Sequence, residues 1–306
     1  MQNITTPTPA GIDDATLRVD ELMTLLGSGI SSVAVIFTMI LYGHYKHLHS
    51  PANTLFIVGI LGVTLCADVN YFMCIFTRDE SNNRHDFSPA RCQACGFMEQ
   101  IHSFVEPFLS TVFWIQIYCM VHKIDVICFR GKSEVILTIV FAWLLGAGSA
   151  VGALVMDWYR QDNQAWCWIA SDVMWFKLVF CWLWVGCSFF CMCVALANPL
   201  CSDTLNTIQK RLLWRRAILG CLWAVVCTID ICARFLQDDQ ASIVQATCEP
   251  ILGLLNVLAF LYSERMFTLR ALTLPPGGEP TYGFTAAMRY IPDKISEGES
   301  FILIAR

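Results

Sequence analysis

Charge is scarce in this chain. Asp, Glu, Lys and Arg make up 15% of its 306 residues, against 56% hydrophobic residues and a mean hydropathy of +0.54. A soluble domain of this length is excluded, because one core cannot bury so much apolar surface. No long basic face and no glycine-rich phosphate loop accompany the net charge of -5, which sets nucleic acid aside. The first twenty residues lack a basic stretch leading into a short apolar core, so no cleavable signal peptide is expected. An internal repeat of half the chain is also missing, which disfavours the inverted-repeat architecture of many transporters.

What is present in abundance is long apolar runs. Seven of them, near 21–43, 53–76, 96–122, 134–156, 173–197, 213–235 and 242–264, are long enough to cross a bilayer as helices. The expected fold is an all-α membrane protein, a seven-helix transmembrane bundle over 21–264. Lys and Arg number 8 in the loops joining helices 1–2, 3–4 and 5–6 and 5 in the opposite loops, which puts the N-terminus outside and the C-terminus inside. A glycosylation sequon at Asn3-Ile4-Thr5 agrees with an extracellular segment 1–20. Residues 265–306 form a cytoplasmic tail, with a short amphipathic turn through Glu264 to Leu272, a stop at Pro275 to Gly278 and disorder beyond. Gly148 and Gly152 form a GxxxG in helix 4, expected to pack closely within the bundle.

Of the 16 cysteines, eleven sit within the spans, where a thiol behaves as a small hydrophobe. Cys92, Cys95 and Cys167 lie on the oxidising side outside the spans, so Cys167 is expected to pair with Cys92 or Cys95. Ionisable groups inside the spans carry the strongest functional signal, because a bilayer tolerates them only at a cost. Asp68, Glu99, His102, Glu106, Lys177, Asp230, Arg234 and Glu249 all fall in the outer halves, while the inner halves hold neutral polar groups such as Gln116 and Asn256. At 100° per residue, Glu99, His102 and Glu106 share one face of helix 3, within an arc of about 60°. Glu249, Gly253 and Asn256 likewise share a face of helix 7. These faces define an outward polar cavity whose ligand-binding candidates are Asp68, Glu99, His102, Glu106, Lys177, Asp230 and Glu249. Lys177 either faces that cavity or snorkels to the interface, and Asp230 and Arg234, four residues apart, can neutralise each other.

Five acids against Lys177 and Arg234 leave a surplus of about three negative charges, which a low-dielectric cavity does not hold unpaired. A cationic or zwitterionic ligand is therefore expected, with Glu99 and Glu106 as its contacts; proton sensing by paired carboxyls and His102 is the variant. A retinal-type cofactor needs a lysine in the last span, and helix 7 has none. A zinc hydrolase needs about three converging ligands, and of six histidines only His102 is placed for one. No cofactor, no metal and no catalytic residue is expected.

The stretches CQACGFMEQ (Cys92 to Gln100), STVFW (Ser110 to Trp114), AWCWI (Ala165 to Ile169) and GLLNVLAFLY (Gly253 to Tyr262) resemble the cyclic-AMP-receptor-like group of G-protein-coupled receptors, near the secretin and frizzled classes. The resemblance implies a disulfide from Cys167 to Cys92, with Cys95 left as a free thiol. It also implies a receptor in the plasma membrane, or an endomembrane, that passes the binding of an external small molecule or peptide to a heterotrimeric G protein. The inner basic residues Lys123, Lys210, Arg211, Arg215 and Arg216 are then its G-protein contacts. Two features depart from rhodopsin-like receptors. Helix 3 ends in YCMVHKID without an Asp-Arg-Tyr, and helix 7 lacks an Asn-Pro-x-x-Tyr. The acid surplus suits a nucleotide anion poorly, so the receptor class carries over and the ligand does not. The rival reading is a transporter or channel for a small polar solute or ion, which should carry charges through the midplane rather than stop in the outer half.

Overall fold

The computed structural model describes residues 14–45, 48–76, 88–122, 124, 131–160, 167–201, 207–236 and 239–263. The glycosylation sequon at Asn3, the basic residue Lys123 and the tail 265–306 lie outside them. Among the described residues, seven helices are long and apolar enough to span a membrane. They are α1 (Asp14–His44), α2 (Pro51–Phe76), α3 (Pro89–Val121), α4 (Lys132–Val155), α5 (Ser171–Ala197), α6 (Thr207–Leu236) and α7 (Asp239–Ser263). Helix α3 is the axis of the bundle: 72% of its most apolar stretch is buried, against 22% for α5. It packs on α2, α4 and α5, while α1 closes the ring between α2 and α7, and α6 sits between α5 and α7.

Local chemistry sets the ends. Ser50 caps α2 by accepting a hydrogen bond from the Asn53 amide at 3.1 Å, with Pro51 at the first helical position, where its missing N–H costs nothing. Pro89 likewise stands at the start of α3, without a side-chain cap from Ser88, seven residues before the apolar run begins at 96, so that Cys92 and Cys95 are helical rather than loop residues. At the end of α4, Asp157 takes a left-handed φ of 53° and the Trp158 amide reaches back to the Ala153 carbonyl at 3.0 Å. That closes the helix and turns the chain into a small antiparallel hairpin.

The hairpin strands are β1 (Tyr159–Arg160) and β2 (Trp168–Ile169), paired Tyr159 to Ile169 and Arg160 to Trp168. The hairpin lies against α3. The Tyr159 ring covers Gly96, where a Cβ would stand 2.5 Å from the ring, so only glycine fits. The Tyr159 hydroxyl donates to the Ala150 carbonyl at 2.9 Å, and burial pushes its phenol up from the usual range.

Cys167, just ahead of β2, is disulfide-bonded to Cys92. Cys95 is not left over: it bonds Cys74, near the end of α2. One turn of α3 therefore carries two disulfides on neighbouring faces, one to the hairpin and one to α2. The GxxxG expectation is corrected as well. Gly148 and Gly152 have nothing within 4 Å of a Cβ and face away from the bundle; the close approach in α4 is Gly146, against Val105 and the Ile101 carbonyl.

Candidate functional site

A cavity of about 530 Å³, its mouth included, lies in the half of the bundle that carries the disulfides. Its wall brings together His102, Ser103, Glu106 and Pro107 of α3, Cys181, Trp182 and Val185 of α5, Trp223, Cys227, Asp230 and Ile231 of α6, and Glu249 and Leu252 of α7, with Trp168 of the hairpin as a cover. Four of the seven residues expected from sequence meet here: His102, Glu106, Asp230 and Glu249. Asp68, Glu99 and Lys177 do not line it.

Glu106 is the centre of the arrangement. One carboxylate oxygen faces His102 Nε2 at 2.7 Å, and the other accepts from the Asn256 amide of α7 at 2.8 Å. The contact to His102 follows from helix spacing, i to i+4. The contact to Asn256 crosses the bundle and fixes α7 to α3. Glu106 is 5% exposed, so these two partners offset the cost of removing a carboxylate from water. Glu249 accepts a hydrogen bond from the Tyr71 hydroxyl of α2. Asp68, one turn earlier on α2, accepts from Ser32 of α1 at 3.3 Å. The acids thus spread over α2, α3, α6 and α7, and three of them, Glu106, Asp230 and Glu249, line the cavity.

Lys177 resolves its two readings by turning inward. It is 5% exposed, with its ammonium 4.8 Å from the centre of the Trp168 ring, a cation–π contact rather than an anchor at the interface. Glu99, a turn above His102, accepts from Ser103 at 3.3 Å. The side chain of Arg234 lies outside the described residues, as does that of Arg211, so the Asp230–Arg234 pairing is not part of this picture.

Trp168, Trp223, Asn256 and Gln100 were not among the candidate ligand contacts. Gln100 joins the hairpin to two helices: its carbonyl accepts from the Trp168 indole at 3.2 Å and its amide donates to Ser149 of α4 at 3.3 Å. The signals for two of them were available. Trp168 lies in AWCWI, and Trp223 stands seven residues, two turns, before Asp230 on one face of α6.

At the other end of the bundle, one expectation is corrected. Arg216 is 5% exposed and its guanidinium lies 5.1 Å from the Phe113 ring centre, so it points into the bundle and presents no surface to a partner. Its neighbour Arg215, 100° round the helix, stays half-buried over the Tyr262 ring at 4.7 Å, and Lys210 is also half-buried.

This arrangement of helices matches the crystal structure of squid rhodopsin with a TM-score of 0.62, over 95% of this chain and 92% of that one, at 13% sequence identity. No protein-family model and no curated protein matches the sequence. The likeness is one of fold: seven helices long and apolar enough to cross a membrane are arranged as in the rhodopsin seven-helix bundle.

Proposed function

We propose that the chain is a G-protein-coupled receptor of the plasma membrane whose disulfide-bearing end faces outward, and that a cationic or zwitterionic ligand binds in the cavity beneath the hairpin. The observation that carries this reading is Glu106. It is a buried carboxylate on the central helix that holds His102 on its own helix and Asn256 on α7, so a cation reaching it competes directly with a bond between two helices. Differential binding to two arrangements of α3, α6 and α7 is what a receptor requires. Moving a strongly inactive population to a strongly active one takes about 5.5 kcal/mol of such difference. Asp230 and Glu249 supply further carboxyl groups on the facing helices. Lys210 and Arg215 supply basic charge for the G protein at the opposite end; Lys123 and the side chain of Arg211, expected from sequence to join them, lie outside the described residues.

The test is nucleotide exchange on a panel of heterotrimeric G proteins with the purified protein in lipid, first alone and then with a library of small amines and amino acids. Basal or ligand-stimulated exchange that is lost in Glu106→Gln supports the proposal; exchange at the rate of empty bilayers throughout would refute it. The His102–Glu106 contact favours one variant, in which the proton itself is the cation, because the charge of that pair depends on protonation. Exchange that follows pH with no added ligand, and loses that dependence in His102→Asn, would select it.

A further inference from the structure

Cys92 and Cys95 stand three residues apart in the first two turns of α3, and each is bonded elsewhere, Cys92 to Cys167 and Cys95 to Cys74. The four cysteines pack together as one buried cluster. Helix rise and pitch set the α-carbons of residues three apart at about 5 Å, with their side chains on one face. The two bonded pairs stand at 6.1 and 5.1 Å, and disulfides span about 4.4–6.8 Å. A third pairing, Cys92 with Cys95, is therefore within reach without moving a helix. The Cys92 amide closes the first turn on the Ser88 carbonyl at 2.9 Å, so the pair also sits at a helix end, where the backbone adapts most readily.

Access singles out the same two residues. Cys92 and Cys95 are 8% and 7% exposed, against 1% for Cys74 and 0% for Cys167. A thiolate arriving from solvent meets Cys92 or Cys95, and what it expels is Cys167 or Cys74.

We propose that Cys92 and Cys95 form a thiol–disulfide exchange site for an external dithiol. One thiolate of the dithiol attacks Cys92 Sγ, the bond to Cys167 breaks, and Cys167 leaves and takes up a proton. The second thiol of the reductant closes on the first, which completes the reductant's own disulfide and frees Cys92 as a thiolate. Cys92 then attacks Cys95 Sγ, the bond to Cys74 breaks, and Cys74 leaves and is protonated. Entry at Cys95 runs the same steps in mirror order. Two electrons from one dithiol thus turn two disulfides between elements into one Cys92–Cys95 link and two thiols. A single reduction parts both the hairpin and α2 from α3, where independent staples would lose only one. Cys167 precedes Trp168, the cover of the first cavity, so the exchange unfastens that cover whatever the cavity binds. In the folded chain the native bonds remain the major form, and the exchanged form is a minor state.

The probe is dithiothreitol. With the full chain in phosphatidylcholine nanodiscs, accessible thiols are blocked with N-ethylmaleimide, one equivalent of dithiothreitol is added, and new thiols are trapped with deuterated N-ethylmaleimide. The tryptic peptide 92–123 should then carry an internal Cys92–Cys95 disulfide in at least about 5% of molecules, an ordinary population for a minor state. The deuterated label should appear on Cys74 and Cys167. Cys74→Ser supplies its own attacking thiol at Cys95, so it should show the internal disulfide and a labelled Cys167 with no reductant added. Cys74→Ser combined with Cys95→Ser should show neither. Labelled thiols only as Cys92 with Cys167, or only as Cys74 with Cys95, would overturn the proposal. So would absence of the internal disulfide from Cys74→Ser, or new links from these four to the free thiols Cys66 or Cys119, which mark unfolding rather than exchange.

Discussion

At the end of the bundle with the hairpin, two disulfides join α3 to α2 and to the chain between α4 and α5, and hydrogen bonds through Gln100 and Tyr159 tie the hairpin and α4 to α3, with Glu106 tying α7 to α3. At the other end the described residues hold no disulfide, and the helices meet through rings: Phe56 against Phe113 at 5.2 Å and against Phe260 at 6.0 Å, with Arg216 over Phe113. Covalent and hydrogen bonds are directional and fix a geometry, whereas apolar contact is non-directional and survives a shift of the partner. The comparison teaches where motion belongs. For the receptor proposed above, that assigns ligand recognition to the end whose geometry is fixed and repacking to the other, since packed interfaces convert small shifts into discrete states.

The largest effect should come from the staples. In the chain-entropy account, a disulfide closing 75 residues, as Cys92–Cys167 does, contributes about 4 kcal/mol, and one closing 21 residues, as Cys74–Cys95 does, about 3 kcal/mol. Cys167→Ser should therefore lower thermal stability in detergent more than Cys74→Ser. The reverse order would mean that the junction of α2 and α3, rather than the hairpin, anchors that end.

Next in size is the central carboxylate. Removing it in Glu106→Ala leaves His102 and the Asn256 amide facing an empty position, and breaking a buried pair of this kind costs about 3 kcal/mol. A double-mutant cycle with Asn256→Ala should return a coupling of about 1 kcal/mol or more, because the two side chains are in contact. Additive losses would show that α3 and α7 are not joined through this bond.

A smaller loss is expected from the aromatic end, together with a different functional signature. Phe260 is fully buried and stacks on Phe56. Phe260→Leu keeps the site apolar and should cost only about 1 kcal/mol. Because the ring belongs to the end that repacks, the same change should raise basal nucleotide exchange, whereas Cys167→Ser should not. Equal exchange in the two variants would erase the contrast between the halves.

Much of the architecture was legible in the sequence. Seven apolar runs gave seven helices, because the length of an apolar run is set by bilayer thickness and needs no tertiary information. Helix starts were less legible: Ser88-Pro89 is a start signal, yet the polar turn Arg91 to Gln93 interrupts the apolar run there. The Cys74–Cys95 disulfide was hidden because Cys74 counts as a residue within a span, and only the third dimension puts it at the same depth as the first turns of α3. Arg216 was hidden by phase. In the run Lys210 to Arg216 the charges read as one surface, but successive residues on a helix are 100° apart, and the face belonging to the core is decided by the partner helix. Periodicity placed Glu99, His102 and Glu106 on one arc of helix 3; His102 and Glu106 meet and line the cavity, whereas Glu99 does not line it, because where a cavity ends along a helix is set by the neighbouring helices.

The smallest effect is the one most often credited to charges at a surface. Arg160 on β1 and Asp172 at the head of α5 form an ion pair at 3.7 Å across the hairpin end, with side chains 59% and 67% exposed. A pair so open to water gains little from Coulomb attraction and loses side-chain freedom, so Arg160→Gln should change stability by less than about 0.5 kcal/mol at 0.15 M salt. The comparison sharpens if this holds. The same few residues of hairpin would then be fixed by Cys167 and by Tyr159 and Trp168 on α3, and not by the charges that decorate them. A loss above about 1 kcal/mol in Arg160→Gln, vanishing at high salt, would instead make electrostatics part of what holds that end still.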